Sequence, residues 1–248
     1  MILSPDTLTR CKQWLKRLAQ RGGFFVSRAP MVNLEGFALD IQHRLLETSG
    51  AVLHIGAHRG QEAEYYNKVG LKVIWIEASP AMFEILNINI TKYKNQRAVC
   101  ALLGDVEGKL VDFHIASNDG ASSSIFQFGK ELGVNGLGMS GSEKLRMERL
   151  DNLFQTKDLS SFSHWVLDVQ GAELLVLKGA GSLLDTCNSL YVEVSTRAVY
   201  EDGVSWNELS GFLRGRGLIP LWDPKAKSHE NIIFVRYGLN VNSNTTHE

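Results

Sequence analysis

Residues 51–66 read AVLHIGAHRGQEAEYY, and this stretch decides the fold. A short apolar run over 52–55 meets a glycine turn, Gly56-Ala57-His58-Arg59-Gly60, and helical spacing follows. Strand, glycine turn and helix start in that order build the nucleotide pocket of open α/β sheets. The physical reason is backbone access. Gly56 lets the chain turn sharply, Gly60 removes a Cβ where the helix opens, and free N–H groups there can receive an anionic ligand group. The next apolar run, Val73-Ile74-Trp75-Ile76, ends in Glu77. That acid lies about 20 residues beyond Gly56, the spacing at which a carboxylate reaches ribose hydroxyls. The stretch reads as nucleoside-binding.

Outward from it, the pattern repeats. Residues 62–69 predict a helix stopped by Gly70, and 72–76 a strand that is a nearly continuous apolar run, as expected when helices cover both faces. Ser79-Pro80 opens the next helix as N-cap and first helical residue, with Phe83, Leu86 and Ile90 as its buried stripe. A third strand follows over 98–103 and a turn over 104–108. This β–α–β–α–β order means a parallel sheet with right-handed crossovers. Residues 109–116 then alternate like a strand without a preceding helix, an inserted antiparallel strand. The polar cluster 117–124 reads either as an ordinary surface loop or as a pocket rim where Asn118, Ser122, Ser123 and Ser124 hold a ligand.

Residues 130–143 are glycine-rich and read as a lid or a disordered excursion, and 147–154 as a short strand and turn. Parallel logic resumes with a strand over 164–167 ending in Asp168-Val169-Gln170-Gly171-Ala172-Glu173. A helix over 174–184, weakened by Gly179 and Gly181, a strand over 190–194 and a helix around Trp206, Leu209, Phe212 and Leu213 come next. Runs at 218–221 and 232–235 can close the sheet as a hairpin. Upstream, Leu8, Cys11, Leu15 and Leu18 recur at helical spacing among basic residues, and Leu39, Ile41, Leu45 and Leu46 suggest a second helix. The division expected is a helical appendage over 1–49, the main domain over 50–238 and a disordered tail over 239–248.

Composition sets the limits. With 248 residues, 44% hydrophobic and 21% charged, the chain is a globular one, and a net charge of −1 gives no bulk attraction to nucleic acid or anionic membrane. No nucleic-acid partner and no stable membrane insertion are expected. Cys11, Cys100 and Cys187 show neither a disulfide framework nor a zinc spacing, and no signal-peptide core opens the chain, so a cytoplasmic location is expected. His54 and His58 invite a metal, but no third ligand lies nearby and none is expected.

The series VLHIGAHRGQ, IWIEASP, the serine cluster, MERLDNLF and LDVQGAELLVLKGA resembles the FkbM-type family of S-adenosylmethionine-dependent methyltransferases, over roughly residues 50–236. The resemblance implies an α/β, Rossmann-like class I methyltransferase fold: a seven-stranded, mostly parallel sheet with helices on both faces and an antiparallel strand. It implies S-adenosylmethionine as methyl donor and a hydroxyl of a sugar, glycan precursor or secondary metabolite as acceptor. Donor contacts are then expected from His54, Gly56, Ala57, His58, Gly60, Gln61, Glu77, Ala78, Asp105, Asn118, Asp168 and Val169. Glu77 would hold both ribose hydroxyls, and Asp105 would meet the adenine edge. The acceptor would be held by Ser122, Ser123, Ser124, Gln170 and Glu193.

Transfer to an alcohol profits from a general base. Asp168 is the first candidate, as a partly desolvated acid at the carboxyl end of a parallel strand; Glu173, Glu193 and His58 are alternatives. Asp168 could instead only orient the cofactor, and Glu173 could cap its helix. The family commonly carries Asp-x-Gly-Ala-Asn at the first motif, where this chain has His54-Ile55-Gly56-Ala57-His58. A non-catalytic nucleoside-binding module and a nicotinamide-dependent oxidoreductase are the remaining readings. The second requires a dinucleotide turn whose middle glycine is replaced here by His58.

Overall fold

Val52 and Val73 carry the apolar pattern into a sheet that is covered on both faces. The structure, a computed structural model, describes residues 34–129, 137–195, 199–225 and 229–238, without the side chains of 34–39 and 229. The described chain runs α1 (Leu34–Ser49), β1 (Ala51–Ile55), α2 (Ala63–Lys68), β2 (Lys72–Glu77), α3 (Pro80–Ile90), β3 (Gln96–Cys100), β4 (Leu102–Leu103), β5 (Leu110–Ala116), β6 (Met139–Glu148), α4 (Leu150–Leu153), α5 (Thr156–Leu159), β7 (His164–Leu167), α6 (Glu173–Gly179), a 3₁₀ segment (Gly181–Thr186), β8 (Ser189–Ser195), α7 (Trp206–Gly215), β9 (Leu218–Pro220) and β10 (His229–Arg236). The chain divides into two compact units, Met1–Asp40 and Ile41–Glu248, and the site lies wholly in the second. The basic segment expected over 8–18, residues 130–136 of the expected lid and the tail from 239 lie outside the described residues. Among the described residues, no helix is long and apolar enough to cross a membrane.

The seven-stranded sheet has the order β3-β2-β1-β7-β8-β10-β9. β3, β2, β1, β7 and β8 pair in parallel, and β10 runs antiparallel to both of its neighbours, as the closing hairpin predicted. Side chains alternate between two cores. Leu53, Ile55, Ile74, Ile76, Trp165 and Leu167 face one core with α6 and α7. Val52, Val73, Trp75 and Val166 face the other with Leu46, Tyr66, Leu86 and Ile90. Two buried faces explain why these strands read as unbroken apolar runs. Each such side chain contributes about 1.5–3 kcal/mol on burial. Register brings Ile55 beside both Ile76 and Leu167, so Gly56, Glu77 and Asp168 emerge together at the carboxyl edge.

The middle of the chain departs from expectation. The third strand is broken at Ala101: β3 stays in the main sheet, while β4 leaves to pair with β6 in a separate sheet of order β4-β6-β5. The strand expected over 109–116 exists as β5, but its antiparallel partner is β6 and it is not inserted in the main sheet. Residues 139–143, expected in the lid, are the first half of β6. Gly141 and Ser142 have poor strand propensity, and only pairing with β5 makes them strand. The helix expected over 174–184 is two elements, since Gly181 takes φ +54.

Gly179 is a packing residue rather than a weak point. A Cβ there would overlap the carbonyl oxygen of Gly104, where α6 crosses the end of β4. Gly179→Ala should therefore lose about 2 kcal/mol in urea unfolding despite alanine's better helix propensity. Gly211→Ala in α7, where a Cβ meets nothing, should gain about 0.5–1 kcal/mol.

Candidate active site

The carboxyl ends of β1, β2 and β7 open onto one cleft of about 940 Å³, including its open mouth. Gly56, at φ +85, follows β1 directly, and any Cβ there would overlap the Asp168 carbonyl. Four of the turn's amides are occupied. Gly56 N and Ala57 N both donate to the Ile76 carbonyl (2.9 and 3.1 Å), and Gly60 N donates to the Ala57 carbonyl (2.9 Å). His58, left-handed at φ +48, donates its N–H to Glu77 Oε2 at 2.7 Å. The amides of Gly56, Ala57, His58 and Gly60 are thus spent on β2 and on the turn itself.

Glu77 is the best-fixed polar group of the cleft. It is 7% exposed, and its other oxygen, Oε1, accepts from Ser79 N at 2.8 Å. Burial pushes its carboxyl upward, opposed by the amide bonds from Ser79 and His58. Each carboxylate oxygen has a second lone pair, so the amides leave acceptor capacity for hydroxyls. His54 forms part of the cleft wall and is 6% exposed, with Nδ1 3.1 Å from the Tyr66 hydroxyl and its ring 4.8 Å from that of Trp75. Burial lowers its pKa, so this position carries a neutral imidazole.

His58 is not disposed as a base. Gln61 Nε2 lies 3.0 Å from its Nδ1, and its Nε2 lies 3.0 Å from the Asp119 carbonyl oxygen. A carbonyl only accepts and the amide nitrogen only donates, so the ring is the neutral Nε2–H tautomer with both nitrogens used. Arg59 adds an ion pair to Asp119 at 3.2 Å. The polar segment 117–124 is thereby tied to the glycine turn.

At its far end the same segment is tied to the turn that follows β7. Ser124, buried, donates from Oγ to the Gln170 carbonyl at 2.7 Å. Asn118 and Ser122 bond each other, with Asn118 Nδ2 donating to Ser122 Oγ at 3.0 Å. Of the expected rim residues, only Ser123 lines the cleft, together with Gly120, Ala121 and Ile125, which the sequence reading did not single out. Asn118, Ser122 and Ser124 fold the rim instead of facing its interior. Gly60 is also outside the lining, its left-handed φ of +68 serving the turn. Asp105 does not line the cleft; its carbonyl accepts from Arg149 Nη1 at 2.8 Å. The wall on that side is apolar: Ala101, Leu102, Leu103 and Phe113. The run 98–103 was legible as a strand, but not its departure into a second sheet.

Gln61, Ala78, Asp168, Val169 and Gln170 line the cleft. Asp168 itself is exposed rather than partly desolvated. Gln170 sits at φ +55, a left-handed conformation that costs a non-glycine residue about 1–2 kcal/mol. Its side-chain amide donates to Asp168 Oδ1 at 2.5 Å and to Glu193 Oε2 at 3.1 Å, and its Oε1 accepts from the Tyr200 hydroxyl. Glu173 and Glu193 lie behind this amide, lining a small second cavity with Tyr200. Glu173 Oε1 accepts from Gly171 N at 3.0 Å and Val169 N at 3.3 Å, so this acid braces the turn before its helix. Burial pushes Glu173 up to about 7, and burial with the charges of Asp168 and Glu173 pushes Glu193 up to about 8. Among the described residues, no cluster of three or more His, Cys, Asp or Glu could hold a metal ion.

The profile of the methyltransferase FkbM domain matches residues 54–219. No curated protein matches the chain. Among solved structures, a TehB-like SAM-dependent methyltransferase from Corynebacterium glutamicum is 13% identical, covering 94% of this chain and 100% of its own, at TM-score 0.43. A SAM-dependent methyltransferase from Aquifex aeolicus is 12% identical, covering 80% and 89%, at TM-score 0.44. Fibrillarin from Aeropyrum pernix, with natively bound S-adenosyl-L-methionine, is 11% identical, covering 79% and 74%, at TM-score 0.44.

The acid cluster has a measurable cost. An unfolded glutamate ionises near pH 4.5, whereas Glu173 holds its proton to about 7 in the fold. Stability therefore falls as pH rises through that window, on the order of 3 kcal/mol from this group. Glu173→Gln keeps the acceptor oxygen and removes the charge. In denaturant titrations it should match the wild type near pH 5 and exceed it near pH 8.

Proposed function

The chain belongs to the FkbM methyltransferase family, and from that premise we propose that it methylates a hydroxyl oxygen of a sugar, glycan precursor or secondary metabolite. Its methyl donor is S-adenosylmethionine, which supplies a methyl group already activated on a sulfonium. The observation that carries the proposal is Glu77: a buried carboxylate held by two backbone amides at the end of β2, beside the glycine turn and facing the cleft. That arrangement suits a ribose diol, which needs acceptors fixed in direction. Leu102, Leu103 and Phe113 offer an apolar wall to the adenine. His54, neutral, replaces the acid common in the family beneath the amino-acid part of the donor.

The remaining work of the chain is alignment, exclusion of water and acceptance of one proton. Asp168 is the base in this proposal, at the carboxyl end of β7 and exposed to the cleft. Glu193 stands one amide away and supports it. The near-neutral net charge favours a small acceptor over a polynucleotide, and the cysteine usage favours the cytoplasm.

Calorimetry with S-adenosylhomocysteine tests the donor site. The wild type should bind in the micromolar range, Glu77→Ala should lose about 100-fold or more, and Asp168→Asn should still bind. Across a panel of sugar and secondary-metabolite alcohols, Asp168→Asn should lower turnover by about 10²–10⁴-fold. Binding indifferent to Glu77→Ala would overturn the donor placement. Tight donor binding without methylation of any alcohol in the panel would favour the non-catalytic module.

A further inference from the structure

Gln170 is the most heavily engaged side chain near the cleft, and donor binding as described above does not explain it. It occupies a left-handed conformation natural to glycine, one residue before Gly171, which is also left-handed at φ +98. Both side-chain polar atoms and the main-chain carbonyl meet protein groups. Two N–H bonds go to carboxylates on different segments, Asp168 after β7 and Glu193 on β8. The side-chain carbonyl takes the Tyr200 hydroxyl, and the main-chain carbonyl takes Ser124 Oγ. One amide orientation satisfies every contact, since N–H groups meet carboxylates and the carbonyl meets a phenol. A residue held in an unfavourable backbone region by such a set of bonds points to function rather than to packing.

Resting on the methyltransferase reading, we propose that Gln170 is a positioning residue: its amide clamps Asp168 and Glu193 side by side, making the pair respond to the charge of the bound donor. The two acids belong to adjacent parallel strands and would otherwise repel. Clamped together, they behave as one unit with two charge states. Around Glu193 stand Asp168, Glu173, Tyr191, Tyr200 and the Gln170 amide, with Asn231 opposite on β10. Of these only the amide favours the ionised form, so Glu193 tends to keep its proton while the cleft lacks a cation. With a sulfonium donor bound next to it, the pair would favour ionisation and lose that proton to solvent, which the uncharged thioether product would not cause. After transfer, with the O–CH₃ bond formed and the S–CH₃ bond broken, the hydroxyl proton finds a carboxylate ready to receive it.

The test is proton release on binding, measured by calorimetry in two buffers of different ionisation enthalpy between about pH 6 and 9.5. S-adenosylmethionine should release on the order of half a proton more than S-adenosylhomocysteine around pH 8. Glu193→Gln should abolish the difference. Gln170→Gly suits the left-handed backbone and should fold, but without its amide the difference should move to higher pH, because a bond to the ionised form is lost. Equal release for both ligands overturns the proposal, as does a difference unchanged by either variant. A Gln170→Gly protein altered only in melting temperature shows a merely structural role and overturns it too. Failure of both ligands to bind overturns the methyltransferase reading itself, and this inference with it.

Discussion

The structure depends on a contact between two peptide backbones. β1 and β7 end side by side, Asp168 N donates to the Ile55 carbonyl, and the Asp168 carbonyl fills the space that a Cβ at position 56 would need. β2 is locked into the same junction because the Ile76 carbonyl accepts both Gly56 N and Ala57 N. Three strand ends therefore share one frame. Glu77 and Asp168 inherit their positions from main-chain geometry, which is stiffer than any side-chain packing and suits a reaction that depends on alignment. The glycine of the first turn exists less to admit a ligand than to admit the neighbouring strand.

That junction also separates what could be read from the sequence. The parallel core was legible because each of its strands is short, apolar and punctuated: Gly56 after β1, Glu77 at the end of β2, Asp168 after β7. Local periodicity suffices where burial on both faces decides the strand. It fails between residues 101 and 148, where pairing over long sequence distances decides instead. Leu102 and Leu103 look like the end of β3 until β6 draws them away, and Gly141 and Ser142 are strand only because β5 lies opposite. The cleft's apolar wall fell in this interval. Asp105 was expected there by analogy, while the structure offers Leu103 and Phe113. Serines were legible as rim residues but not their orientation. Ser123 faces the cleft and Ser124 faces Gln170, a distinction set by the turn's dihedrals and invisible in composition.

Two environments divide the buried carboxylates. Glu77 and Glu173 both accept two backbone amides, and both are almost fully buried. The difference lies in their neighbours. For Glu77 the amide bonds from Ser79 and His58 oppose the rise that burial causes, whereas Glu173 has, besides its amides, Asp168, whose charge adds to the rise. The first suits a permanent acceptor for hydroxyls. The second, with Glu193, forms a proton-holding group at the second cavity. Pairs of titratable groups pushed apart by environment are how a single site separates binding from proton transfer.

The two histidines of the first motif complete this division. His54 is packed with Tyr66 and Trp75 and stays neutral, so the cleft floor beneath the glycine turn carries no fixed charge. His58 spends both ring nitrogens on Gln61 and on the Asp119 carbonyl, and with Arg59 it ties the 117–124 segment across the turn. The same segment reaches Gln170 through Ser124, and Tyr200 bonds both its Ser122 carbonyl and Gln170. One polar strap thus runs from the donor turn to the clamped acids. His58 stands where the family commonly carries asparagine, with both ring nitrogens bonded. It adds an anchor between the glycine turn and the 117–124 segment.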